Sequence, residues 1–126
     1  SWGETNSTRP LGTGPGVGKV SMNDFHFTMR VSKATPKLML AGAQGRRIPS
    51  ATLTVRRADG APLVKWELKN VIVSSYQTGA EPSSGPPVDA VKLRFSQIVV
   101  TYTVRNADGT TSEVKAGWDL ATNKKV

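Results

Sequence analysis

Cysteine is absent from the 126-residue chain, which removes disulfides, thiolate nucleophiles and cysteine-based zinc sites. A chain without thiols also keeps one covalent state in reducing and oxidising surroundings, which suits a protein that passes from one to the other. Histidine occurs once, at His26, so no second imidazole exists to complete a zinc site. Long apolar runs are missing too: no stretch reaches the ~18 residues of a membrane helix. Ser1-Trp2-Gly3-Glu4 shows no charged segment leading into an apolar one, so no signal peptide is legible there. Aromatics are scarce, with 3 Trp, 2 Tyr and 3 Phe. Trp66 and Trp118 fall on apolar strand positions, where core packing uses them. A platform for single-stranded nucleic acid needs aromatics on the polar face beside Lys and Arg; here those faces carry Lys, Arg, Glu and Thr instead.

Positive charge is abundant: 17 Lys and Arg stand against 9 Asp and Glu, a formal +8. Such a balance favours acidic partners, and a basic β-barrel module binding nucleic acid is the alternative reading it raises. The basic residues, however, are scattered singly or in pairs such as Arg46-Arg47, Arg56-Arg57 and Lys124-Lys125. Spread over alternate strand positions and turns, they read as a solvated face. The length fits one domain over residues 1–126, with residues 1–18 largely an extended loop rich in Gly, Thr, Ser and Pro.

The remainder alternates. From Lys19 to Val31, Phe25, Phe27 and Met29 point one way and His26, Thr28 and Arg30 the other. Thr35-Pro36 opens the one convincing helix: the Thr35 hydroxyl is placed to cap an orphan N–H, and Pro36 fits the first turn. Leu38, Met39, Leu40, Ala41 and Ala43 follow, and Gly45 supplies the left-handed stop. This helix is apolar almost all round, which predicts contacts on more than one side, its own sheet and a neighbouring subunit. Further strands set Ala51, Leu53 and Val55 against polar neighbours, then Val64, Trp66 and Leu68 against Lys65, Glu67 and Lys69. Asp59-Gly60 and Asp108-Gly109 mark hairpin turns. A second loop runs from Thr78 to Pro87. Beyond it the inward parity changes from Val91, Leu93 and Phe95 to Ile98, Val100, Tyr102 and Val104, which predicts a bulge or bend near Ser96-Gln97. Val114, Ala116 and Trp118 form the inner face of the last strand. The expected fold is mainly β: a small antiparallel barrel, or two packed sheets, with one short flanking helix.

Candidate chemistry is thin. Asp24 and His26 share a strand face and are the nearest approach to an acid–base pair, though a surface hydrogen bond or ion pair is the better reading of them. Gly12-Thr13-Gly14-Pro15-Gly16-Val17-Gly18 has the glycines of a phosphate loop but no following helix or Lys-Ser/Thr. No Gly-x-Ser-x-Gly elbow is present. No catalytic, metal or cofactor residue is assigned.

Several segments do resemble a known family. Lys33-Ala34-Thr35-Pro36-Lys37-Leu38-Met39-Leu40-Ala41 and Ile48-Pro49-Ser50-Ala51-Thr52-Leu53-Thr54-Val55-Arg56 are similar to the helix and following strand of the haemolysin-coregulated protein (Hcp) family of type VI secretion. Val73-Ser74-Ser75-Tyr76-Gln77-Thr78-Gly79 and the ending Gly117-Trp118-Asp119-Leu120-Ala121-Thr122-Asn123-Lys124-Lys125-Val126 resemble it in the same order. The resemblance implies a β-barrel subunit without catalytic residues, forming hexameric rings that stack into the inner tube of a contractile injection apparatus. It implies a contractile sheath, a spike protein and secreted effectors as partners, with effectors carried in the lumen. The protein would wait in the bacterial cytoplasm and leave the cell on firing. Family members usually carry about two strands before the segment matching Ser1-Trp2-Gly3. On this reading Pro36, Leu38, Met39, Leu40 and Ala41 support the ring. Thr8, Leu11, Val17, Thr78, Glu81 and Pro86 belong to loops that contact the next ring.

Overall fold

A segment that is apolar on one face and polar on the other gains burial only as part of a sheet, and the chain forms strands where it alternates. The computed structural model describes residues 1–7, 18–79 and 85–126. The element order is β1 (Glu4–Ser7), β2 (Lys19–Met22), β3 (Phe25–Arg30), α1 (Thr35–Gln44), β4 (Arg47–Arg56), β5 (Pro62–Gly79), β6 (Val88–Arg94), β7 (Gln97–Arg105), β8 (Thr111–Asp119) and β9 (Lys124–Lys125). The fold is mainly β and antiparallel with one short helix, as expected. β1 pairs with β2; the other ladder runs β3-β6-β5-β7-β8-β9, with β4 also on β5. That path is open among the described residues. Contacts divide the chain into two compact units, Ser1–Arg47 with Ile72–Arg94, and Ile48–Val71 with Phe95–Val126.

In the first unit β3 lies on β6, with Phe25 opposite Leu93 and Phe27 opposite Val91. β6 lies on the end of β5, where a bulge falls between Val73 and Ser75. Phe25, Ala41, Val73, Val91 and Leu93 are buried. The expected single strand from Lys19 to Val31 is broken at Asn23 and Asp24, and the Asn23 N–H donates to the Gly3 carbonyl at 2.9 Å, one step beyond the β1–β2 pairing. The stretch 1–18 expected as loop is not loop throughout. Glu4–Ser7 is a strand paired with β2 from Glu4 opposite Met22 to Ser7 opposite Lys19. Its sequence is wholly polar, so no alternation announces it; the pairing is made by the backbone and by a 2.7 Å hydrogen bond between Thr5 and Ser21 hydroxyls.

In the second unit Leu68 faces Ile98 and Trp66 faces Val100 across β5 and β7. The next register brings Trp118 to Ile98 and Ala116 to Val100, so one face of three strands is apolar. Leu68 is 0% and Ile98 2% exposed, and burying side chains of this size contributes about 1.5–3 kcal/mol each. The two turns are built alike. In each, the carboxylate of Asp59 or Asp108 accepts from the backbone N–H two residues on, at 3.0 Å, and Gly60 and Gly109 both take φ +87°. The parity change falls where it was expected: the chain leaves the strand at Phe95-Ser96, and the Ser96 N–H donates to the Lys69 carbonyl at 3.0 Å. The opposing half of that bend is Asn70, held at φ +54°, whose Nδ2 donates to the Ser96 hydroxyl at 2.9 Å.

Candidate subunit interface

The helix is seated by its small residues. Leu38, Ala41 and Gly42 recur at the spacing of one helical face; Leu38 and Gly42 are half-buried and Ala41 is buried. A Cβ on Gly42 would stand 3.3 Å from Val73 Cγ1, so its absence lets the helix lie close on β5. Gly45 ends the helix in the left-handed region at φ +60°, its N–H reaching back to the Ala41 and Gly42 carbonyls. Opposite that seat, Met39 is 50% and Leu40 51% exposed, and Pro36 is exposed. The sequence grouped Pro36, Leu38, Met39, Leu40 and Ala41 as one packing set; the structure divides it into an inward pair and an outward, apolar trio.

The helix start differs from the sequence reading. Thr35 is the first helical residue rather than the cap; Ala34 holds the cap position without a side-chain bond. The Thr35 hydroxyl accepts from the Ser32 N–H at 3.0 Å and donates to Asp89 Oδ2 at 2.5 Å. Tyr76 donates to the other oxygen, Oδ1, at 2.9 Å. Asp89 is fully buried, and this carboxylate ties the start of the helix to β5 and β6. The Thr35 hydrogen bond holds its carboxyl below the ordinary value; burial opposes this, and bonds from Tyr76 and Thr78 add to it. Burial, then the bond to Asp89, pushes the Tyr76 phenol up. A carboxyl depressed in the folded state contributes stability above its unfolded pKa and loses it as pH falls. The stability difference between the wild type and Asp89→Asn is therefore expected to be full at pH 7 and to shrink steadily below about pH 4. Urea melts at several pH values measure it; a difference that does not change with pH would contradict the role of the charge.

Thr78 stands inside β5, opposite Asp89, rather than in the loop assigned to it, because β5 runs on to Gly79. Pro86 is exposed just before β6. Thr8, Leu11, Val17 and Glu81 lie outside the described residues, as does most of the Gly12–Gly18 run. Asp24 does not partner His26. Its carboxylate accepts from the Ser74 hydroxyl at 2.6 Å and lies 3.7 Å from Arg94 Nε. His26 is half-buried, and its backbone N–H donates to the Ser1 carbonyl at 2.8 Å. Among the described residues no group of His, Asp and Glu could hold a metal ion.

The apolar face of the second unit is closed at one end and open at the other. From buried Leu68 and Ile98 it passes half-buried Trp66 and Val100 to Tyr102 and Val114, which are adjacent across β7 and β8 and 46% and 64% exposed. Val55, on β4, is 45% exposed. β4 itself pairs only with β5 among the described residues, leaving one long edge without a ladder.

A sheet edge left unpaired among the described residues and exposed aliphatic side chains on a helix are the features of a chain built to associate with other copies. Comparison with known proteins gives that class its family. The profile described as "Type VI secretion system effector, Hcp" matches residues 1–102. Protein hcp1 of Pseudomonas aeruginosa is 39% identical over 110 residues, covering 83% of this chain and 68% of that protein. A solved type six secretion system protein superposes with a TM-score of 0.84 at 27% identity, over 100% of this chain and 82% of the other. Hcp1 from Salmonella typhimurium does so with a TM-score of 0.75 at 27% identity, over 100% and 81%. The chain belongs to the Hcp family, and it is a tube subunit of type VI secretion. None of these likenesses supports the nucleic-acid reading.

Proposed function

We propose that the chain forms hexameric rings that stack into a hollow tube, and that the helix face is one of the surfaces that close the ring. The observation that carries this is the exposure of Met39 and Leu40 on a helix already seated on its sheet. Each is already about half covered, so completing its burial is worth roughly half of the ~1.5–3 kcal/mol that full burial of such a side chain contributes, and a closed ring is the symmetric way for identical subunits to bury such a surface. The fold contributes structure rather than catalysis, with residues 1–126 acting as one family domain. The contractile sheath, the spike protein and effectors carried in the lumen are the partners this role requires. The protein is held in the bacterial cytoplasm until firing and then exported, and the lack of any thiol leaves nothing for the change of compartment to oxidise at cysteine.

Light scattering on the purified protein tests the ring. A mass of six copies of the 13.5 kDa chain is expected, and a single copy at high concentration would contradict it. The leading loop and the one before β6, with Thr8, Leu11, Val17, Glu81 and Pro86, are proposed to join one ring to the next. Deleting residues 8–17 is then expected to spare single rings and to shorten or abolish tubes in electron micrographs; full-length tubes from the deleted protein would remove that role.

A further inference from the structure

The chain holds 3 Met and no Cys, so thioethers are its only sulfur. The structure treats the three differently. Met22 on β2 and Met29 on β3 are half-buried. Met39 is 50% exposed, and it stands on the helix face that the ring reading buries. Methionine oxidation follows exposure, and a sulfoxide formed in an apolar contact disrupts that contact.

The surroundings of Met39 decide what oxidation does. Pro36, Met39, Leu40 and Ala43 fall at the i, i+3, i+4 and i+7 spacing of one helix face, and all four are exposed. Pro36, Leu40 and Ala43 carry no side-chain hydrogen-bond donor. A sulfoxide oxygen on Met39, once covered by another subunit, finds no donor in its own stripe, and burying it unpaired is unfavourable. The subunit itself is insulated from the change. Leu38, Ala41 and Gly42 seat the helix from the other side, while Gly45 and the Thr35–Asp89 bond hold its two ends. On a free subunit the same oxygen is hydrated, and the fold keeps every contact just named.

We propose that Met39 is an oxidation site that governs assembly: its thioether is the first sulfur of the free subunit to react with a peroxide, and the sulfoxide keeps that subunit out of the ring. Hydrogen peroxide delivers one oxygen atom. Its O–O bond breaks, an S–O bond forms, the sulfur is oxidised by two electrons and water leaves. A methionine sulfoxide reductase reverses the step with a dithiol, which becomes a disulfide as the oxygen departs as water. In the ring the same sulfur is covered, so assembly protects it and oxidation acts on subunits not yet assembled. The effect on assembly rests on the ring reading; the order in which the three sulfurs react does not.

The test treats wild type, Met39→Leu and Leu40→Asp with hydrogen peroxide, follows each methionine by peptide mass spectrometry and follows assembly by light scattering. In Leu40→Asp, a single folded subunit on this account, Met39 is expected to oxidise before Met22 and Met29, and sooner than Met39 of the wild-type ring. Prolonged treatment is expected to convert wild-type rings to single subunits as released copies oxidise, and the reductase to restore them. Met39→Leu keeps the apolar bulk, and its rings are expected to persist. Met39→Gln, which places a polar group there without peroxide, is expected to raise the concentration for half assembly at least about tenfold, the effect of one unpaired polar group per contact. Rings whose Met39 is sulfoxide, earlier reaction of Met22 or Met29 in the single subunit, equal fates of wild-type and Met39→Leu rings, or unimpaired assembly of Met39→Gln would overturn the assignment. An untreated wild type that stays single at high concentration would overturn the ring reading and the role in assembly with it, and the order of reaction would still decide whether Met39 is the reactive sulfur.

Discussion

Leu40→Asp is expected to abolish rings and leave a folded single subunit. Leu40 is 51% exposed beside Met39 at 50%, while the helix is held to its own sheet by Ala41, Gly42 and the Thr35–Asp89 bond. A charge at an exposed helix position changes the stability of one copy by roughly 0.5 kcal/mol or less. The same charge at the centre of a subunit contact is stripped of water without a partner, which costs several kcal/mol. Repeated at every contact around a ring, that penalty is decisive. Gel filtration with light scattering reads the assembly, and circular dichroism reads the fold. A variant that still elutes as a hexamer would show that this face is not in the ring.

Gly117→Ala is expected to cost about 1–3 kcal/mol, as overpacking in a close-packed region does. A Cβ there would stand 2.8 Å from Val99 Cγ2 and 2.9 Å from the Ile98 carbonyl oxygen, with Val126 Cβ at 3.4 Å. A valine methyl can rotate away; a backbone oxygen in the β7–β8 ladder cannot move without breaking the pairing. The loss therefore falls toward the upper part of the range, a drop in Tm on the order of 5–10 °C for a domain of this size. Differential scanning calorimetry measures it. An unchanged Tm would mean the end of the chain yields freely at this point, and the packing described around Gly117 is wrong.

Local chemistry in the sequence accounts for most of the elements. Alternation exposes β3 and β5 to β8, the two Asp-Gly pairs give both turns, Gly45 stops the helix and the change of parity marks Ser96. What escapes is whatever two distant segments make together. β1 is polar throughout, and only its hydrogen bonds to β2 make it a strand. Asn70 carries no sign of its positive φ until Ser96 is placed opposite. Asp89 shares the inward parity of Val91 and Leu93, but the sequence reading began that face at Val91 and left the acid out. Its partners, Thr35 and Tyr76, are 54 and 13 residues away, and periodicity names no partners. Thr101 shows the reverse error. It sits on the polar side of its strand, where exposure is the natural reading, yet it is buried. The outward trio of the helix was legible only as an excess of apolar residues; which of them face outward required the position of Val73 beneath Gly42.

Negative-stain electron microscopy of the purified chain addresses the central claim directly, because side views and end views together distinguish a ring from a compact particle. Hollow six-fold rings, alone or stacked, are the predicted result for the wild type. A uniform field of small single particles at high protein concentration would contradict the account.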